Sequence, residues 1–268
     1  MDPDTAAPEP DSERHTLEAL GLSGVPHDDP LSYPGVWPRR SGLLDGGHLW
    51  PLTRLVHPGR TPVLAVGSNA SPGQLGRKMA RAGLSAPVPM VKVRVTGLAV
   101  GVSAHVSRMG YISASPLSAP GTVRELFVAW LDGEQLAVVD ASEGVPLPAG
   151  NFRRAWLPAA QVPVELEDGR TLPGVYAYVN RRGVLHDGGG TPRPHPGQRE
   201  LLTELLAGLP RLRVLFGATP EEFVARARAD AALCEHGTRL FAEEGLVTRS
   251  GLEAYVPAGR GTDAPEGH

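Results

Sequence analysis

The stretch Val63-Leu-Ala-Val-Gly-Ser-Asn-Ala-Ser-Pro72 decides how the fold is read. Pro62–Val66 is a short apolar run that stops at Gly67, the pattern of a buried strand. Ser71-Pro72 then offers a helix start, with Ser at the N-cap and Pro at the first helical position. The helix is expected to run to about Ala82 and to stop at Gly83. A strand that turns into a helix within a few residues leaves backbone N–H groups free at the positive end of the helix dipole, where a carboxylate or phosphate can bind. Ser71 capping the helix with no ligand involved is the plainer alternative.

Downstream, Met90–Val102, Tyr111–Ser115 and Val123–Leu131 read as strands. Asp132 caps a short helix over Glu134–Ser142 that Gly144 ends. Phe152–Leu157, Val162–Leu166 and Gly174–Val179 are further β segments, and Glu165–Gly169 is a hairpin signal between the last two. Residues 182–198 form a loop around Gly188-Gly-Gly190, which lacks a phosphate-binding Lys-Ser/Thr and reads as a flexible loop or lid. Helices follow near Gly197–Ala207 and Pro220–Glu244, the second opened by Thr219 with Glu221 and Glu222 in its first turn. This is not the alternation of a doubly wound sheet. The expected class is α+β, with a small, curved, mostly antiparallel sheet or barrel and flanking helices.

Composition narrows the function. The 33 glycines and 27 prolines among 268 residues exceed the usual combined share of about 12%, which argues against a helical bundle. Residues 1–30 hold eight acids and one base, Arg14, a net −7. The total of −3 therefore leaves +4 on the rest of the chain. That body suits a small anionic ligand and lacks the basic stripe of a nucleic-acid binder. No apolar run approaches the roughly 20 residues of a membrane span. Cys234 is the sole cysteine, so no internal disulfide is possible, and with no leader pattern visible a cytoplasmic location is expected. The expected organisation is an acidic disordered tail over 1–30, with one short helix around Thr16–Leu20. An irregular N-terminal arm follows over 31–60, packed on the body by Trp37 and Trp50. A domain with C-terminal helices then spans 61–250, and a mobile tail 251–268. Oligomeric state is not legible.

Asp140 and Glu143, three apart, share one face near the C-terminal end of their helix, where the dipole disfavours acids. A task or a cationic partner is implied there, the alternative being a solvated face beside an Arg. Cys234, His236, His186 and His195 lack metal-ligand spacing, so no metal is expected. Cys234 reads as a packing residue. Ser68 is not in a nucleophile elbow. Arg77, Lys78 and Arg81 read as a solvated basic face.

Gly67-Ser-Asn69 after the first strand, followed about 75 residues later by Asp140-Ala-Ser-Glu-Gly144, resembles the paired signature of the gamma-glutamylcyclotransferase-like family. Thr122–Leu131, Phe152-Arg-Arg154 and Val175–Tyr178 resemble its flanking strands. Val66 stands where that family has an aromatic residue, Val139 where it has Leu, and Phe152 where Tyr is common. The resemblance covers roughly residues 62–180. It implies an enzyme that releases 5-oxoproline and a free amine from a small gamma-glutamyl amine or peptide, without cofactor or metal. It assigns catalysis to Glu143 and substrate binding to Val66, Gly67, Ser68 and Asn69. Asp140 supports the site, and Arg153 or Arg154 pairs with the substrate or with Asp140. The partner would be this small molecule, with no nucleic acid and no membrane. The rival readings are a non-catalytic member of the same fold that binds a metabolite or protein, and a scaffold whose C-terminal helices bind a partner through an exposed apolar stripe.

Overall fold

The computed structural model describes residues 13–52 and 59–257. A hairpin of β1 (Gly42–Asp45) and β2 (His48–Pro51) comes first. Then follow β3 (Thr61–Ala65), α1 (Pro72–Arg81), β4 (Val88–Val102), β5 (Ala114–Leu131) and α2 (Gly133–Ser142). Next are β6 (Phe152–Pro158), β7 (Val164–Leu166), β8 (Gly174–Asn180) and β9 (Val184–Leu185). Helices α3 (Gln198–Gly208), α4 (Pro210–Phe216), α5 (Pro220–Ala229) and α6 (Ala231–Glu243) lead to β10 (Val247–Thr248). The main sheet runs β2-β1-β4-β5-β3-β8-β6, with β7 added to β4. Its pairs are antiparallel except β3 with β8. The class is thus α+β with a mostly antiparallel sheet, and the sheet is open rather than a closed barrel, with β2 and β6 at its ends.

Both faces of the sheet are covered, so its central strands are apolar on both sides. Val63 and Ala65 of β3 pack with Leu75 and Met79 of α1 and Val139 of α2 on one face. Leu64, between them in sequence, joins Val91, Val93, Val128 and Leu157 on the other, as the period of two requires. A third cluster unites Phe216, Phe223 and Phe241 of the C-terminal helices with Val102, Val106 and Ile112. The apolar residues of 220–243 thereby face inward, and the exposed stripe of the scaffold reading is not there. No described helix is long and apolar enough to cross a membrane.

Several expectations change. The segments 111–115 and 123–131 are not separate strands: β5 runs from Ala114 to Leu131 as one element. A register shift opposite Gly97 absorbs residues 119–122, and Pro116 pairs in register with Val100. The turn after β7 closes only as far as Leu172, whose N–H donates to Val164 O. Strand β8 then leaves to pair with β6 and β3. The single helix expected over 220–244 is two, because Asp230 is extended and caps α6 by accepting from Ala232 and Leu233 N–H. The Gly188–Gly190 loop wraps His186, whose Nδ1 accepts from Gly188 and Gly190 N–H. It contributes nothing to the wall of the main cavity.

The disordered tail expected over 1–30 does not extend through its described part. Leu17 and Leu22 are buried, and residues 16–22 form turns rather than a helix. Residues 1–12 lie outside the described residues. The arm at 31–60 is not irregular throughout, since β1 extends the sheet along β4. Residues 53–58 also lie outside the described residues. Of the tail placed at 251–268, Leu252 is buried and Glu253–Tyr255 form a 3-10 turn; residues 258–268 are not among those described.

Candidate active site

Strand β3 delivers Val66, Gly67, Ser68 and Asn69 to one wall of a cavity of about 730 Å³. Ser68–Ala70 form a 3-10 turn, and Pro72 opens α1. Ser71 occupies the N-cap position, but its hydroxyl makes no cap bond and donates to Gly24 O of the N-terminal segment. That segment and α1 are pressed together there: a Cβ on Gly73 would come within 2.6 Å of Gly24 O and 2.8 Å of Leu22 O.

Helix α2 delivers Asp140 and Glu143. Its start is fixed by a capping box, in which the Asp132 carboxylate accepts from Gln135 N–H and the Gln135 side chain accepts from Asp132 N–H. Glu143 is the last residue of helical conformation, and Gly144 follows with φ +74°, a conformation that favours glycine. Glu143 lies against the Gly67–Asn69 turn. Its Oε1 accepts from Asn69 Nδ2 at 3.0 Å and from Lys78 Nζ at 3.1 Å. Lys78 Nζ also donates to Asn69 Oδ1 at 2.6 Å, which closes a triangle. Oε2 has no partner among the described residues.

Lys78 was expected on a solvated face. Instead its side chain is 13% exposed and pairs with Glu143, which is 18% exposed. This ion pair is the cationic partner that two acids at a helix C-terminus call for. The sequence held a signal for it: Lys78 is three residues after Leu75 and four after Gln74, on the inner face of α1.

Asp140 faces the sheet. Its Oδ2 accepts from Arg154 Nη1 at 2.5 Å and its Oδ1 from Tyr178 Oη at 2.8 Å. Burial raises the Asp140 carboxyl above the usual carboxylate range, while the bonds from Tyr178 and Arg154 pull the other way. The guanidinium of Arg154 also lies 5.0 Å from the centroid of the Tyr176 ring. Asp140 therefore ties α2 to β6 and β8. Asp140 is paired by Arg154 and not by Arg153. The Arg153 guanidinium donates to the carbonyls of Phe152 and Pro148, and thereby holds the loop before β6.

The rest of the lining includes residues from regions that local sequence patterns do not connect with the site. Tyr33, from the N-terminal arm, is buried, stacks on Tyr111 at 4.5 Å and accepts through its hydroxyl from Ala114 N–H at 2.8 Å. A side chain at position 67 would collide with that hydroxyl, which is the close approach Gly67 permits. Burial holds the Tyr33 phenol far above its ordinary range, so it stays protonated. Tyr33 and Tyr111 both line the cavity and give it an aromatic surface.

His105 and Tyr111 belong to the connection between β4 and β5, and both line the cavity. The C-terminal helices brace this connection. Thr238 Oγ1 accepts from Val106 N–H at 2.9 Å, and Arg228 Nε donates to Met109 O at 3.0 Å. Cys234 packs beneath it with its thiol donating to Ala227 O, and burial pushes that thiol up to about 11, unlike a nucleophile. Among the described residues no group of three or more His, Cys, Asp or Glu side chains is placed to hold a metal.

No family model and no curated protein matches the chain. Among solved structures, the chain is similar to a gamma-glutamyl cyclotransferase, with 13% identity over 67% of this chain and 99% of that one and a TM-score of 0.36. It is also similar to the Homo sapiens protein loc79017, with 18% identity over 46% of this chain and 67% of that one and a TM-score of 0.34. A third similar structure is YkqA from Bacillus subtilis, with 15% identity over 71% of this chain and 56% of that one and a TM-score of 0.34.

Proposed function

We propose that this cavity cyclises a small gamma-glutamyl amine or peptide, releasing 5-oxoproline and a free amine. The observation that supports the reading is the contact between the two motifs: Asn69 of the Gly67–Asn69 turn bonds Glu143 inside one cavity, 74 residues away in sequence.

The reaction joins two atoms of one molecule. The α-nitrogen attacks the γ-carbonyl carbon, a C–N bond forms, and the γ-amide C–N bond breaks. Of the three hydrogens on the starting α-ammonium, one stays on the ring nitrogen and two end on the departing amine. No external reactant is consumed. The site's task is to hold the folded conformer and to move protons. A carboxylate near both nitrogens serves as base and then as acid. Glu143 suits this because Oε1 is anchored by Asn69 and Lys78 while Oε2 is left for proton traffic. Val66, Gly67, Ser68 and Asn69 line the same wall and would hold the substrate's glutamyl end. Asp140 and Arg154 are positioning residues in this scheme, fixing the helix end that carries Glu143.

A second reading is a metabolite-binding protein of the same architecture without turnover. The Tyr33 hydroxyl favours it, because it sits against Gly67 in the turn that a substrate carboxylate would use. A panel of gamma-glutamyl dipeptides, glutathione and gamma-glutamyl amines, followed by mass spectrometry, separates the two. Cyclisation predicts 5-oxoproline from at least one member. Silence from folded protein, with a saturable rise in melting temperature on adding one of them, supports binding alone.

A further inference from the structure

His105 is buried, lines the same cavity, and has no part in the chemistry so far. Its surroundings dictate which ring nitrogen carries hydrogen. Asn180, at the end of β8 and itself 1% exposed, accepts through Oδ1 from Arg182 N–H at 2.8 Å. A backbone N–H can only donate, so the amide is fixed with its NH₂ toward His105 Nδ1, 2.9 Å away. Nδ1 must therefore accept, and the neutral ring carries its hydrogen on Nε2. Nε2 has no partner among the described residues. The edge of the ring packs on Phe152, with centroids 5.4 Å apart and planes at 82°, so its orientation is fixed as well.

Burial, with Arg182 nearby, lowers the His105 pKa to about 3. The ring thus remains neutral at any pH where the protein would work. It cannot serve as a titrating acid or base there. What remains is a rigid hydrogen-bond donor bordering the cavity, and a donor of that kind matches an oxygen on which negative charge grows.

Resting on the gamma-glutamyl reading above, we propose that His105 Nε2–H is the donor that holds the γ-carbonyl oxygen of the substrate during ring closure. As the α-nitrogen bonds to the γ-carbon, the carbonyl electron pair moves onto that oxygen. It returns when the amide C–N bond breaks. His105 gives a hydrogen bond throughout and transfers no proton. Asn180 is its positioning residue.

The test compares wild type with His105→Phe, which keeps a ring and removes the donor, and with His105→Gln, whose amide N–H reaches toward the former Nε2 position. Steady-state kinetics on the best member of the gamma-glutamyl panel are read alongside melting temperature and nitrogen-15 NMR of the imidazole. Expected are a kcat roughly 100-fold lower for His105→Phe, a KM within about threefold, partial recovery in His105→Gln, and a neutral Nε2–H ring from pH 6 to 8. A His105→Phe kcat within threefold of wild type overturns the proposal, as does a ring carrying hydrogen on Nδ1. Should His105→Phe not fold, the NMR tautomer and the glutamine variant decide, and a glutamine variant as inactive as Glu143→Gln counts against the role. Both failures leave wild-type turnover intact. Absence of turnover in wild type instead overturns the gamma-glutamyl reading and this role with it.

Discussion

The two walls of the cavity are built in different ways. The first, Gly67–Asn69 with Lys78 and Glu143, comes from strand-to-helix and helix-to-loop junctions whose ends are set by local signals. The second, Tyr33, His105 and Tyr111, comes from an arm and a long connection that have no regular structure of their own at these residues. They are held by distant partners: Tyr33 by Ala114, His105 by Asn180, and the connection by Thr238 and Arg228. The first wall is charged and can move protons. The second is neutral at working pH, because burial opposes ionisation of both tyrosines and of the imidazole. On the proposed reading the labour divides, with proton transfer assigned to the charged set and shape and hydrogen bonding to the neutral one.

Variants on each wall can break that division. The largest effect is expected from Glu143→Gln, which keeps the bond from Asn69 Nδ2 and removes the base. Turnover should fall by about 10³-fold or more, and because Lys78 is left without its anion, stability should fall by about 1–3 kcal/mol. Lys78→Met comes next. It leaves Oε1 with a single bond and a partly buried charge without its cation, so kcat should fall about 10- to 100-fold, and stability by about 1–3 kcal/mol in urea unfolding. An unchanged kcat would return Lys78 to a structural role.

Tyr33→Phe probes the second wall. The buried Ala114 N–H would lose its acceptor, at a cost of about 1–3 kcal/mol. A drop in kcat/KM of about tenfold, mostly through KM, is expected if the hydroxyl shapes the binding end. If activity rises instead, the hydroxyl obstructs the turn, and the binding-only reading gains. The smallest effect on chemistry should come from Asp140→Asn. It keeps an acceptor for Tyr178 but turns an amide NH₂ toward the Arg154 guanidinium, so that ion-paired bond is lost; turnover should stay within about fivefold while stability falls by about 1–3 kcal/mol. A loss as large as that of Glu143→Gln would move Asp140 into the reaction itself.

The same contrast explains what could be read in advance. Strand β3, its turn and α1 are legible because an apolar run, a glycine and a Ser-Pro start occur within ten residues. Helix α2 is legible because Asp132, Gln135 and Gly144 mark its ends. Lys78 was legible in principle from its spacing to Leu75, but two arginines nearby made the whole face look solvated. Strand β5 reads as two segments because residues 119–122 interrupt its pattern, and the structure takes them up at a register shift opposite Gly97. Tyr33 and His105 could not be placed, because their positions depend on contacts 81 and 75 residues away. The C-terminal helices were visible as helices, but their work, bracing the connection that carries His105, depends on packing between Val106 and Phe241 that no local pattern contains.

The most direct test of the account is the product balance of a single reaction. Wild type and Glu143→Gln would be incubated in parallel with the best gamma-glutamyl substrate, and 5-oxoproline, glutamate and free amine quantified over time. The account predicts 5-oxoproline and amine in equal amounts from wild type, no glutamate, and neither product above background from the variant. Free glutamate in place of 5-oxoproline would mean that water and not the α-amine is the nucleophile. Full 5-oxoproline release from Glu143→Gln would remove the carboxylate on which the site is built.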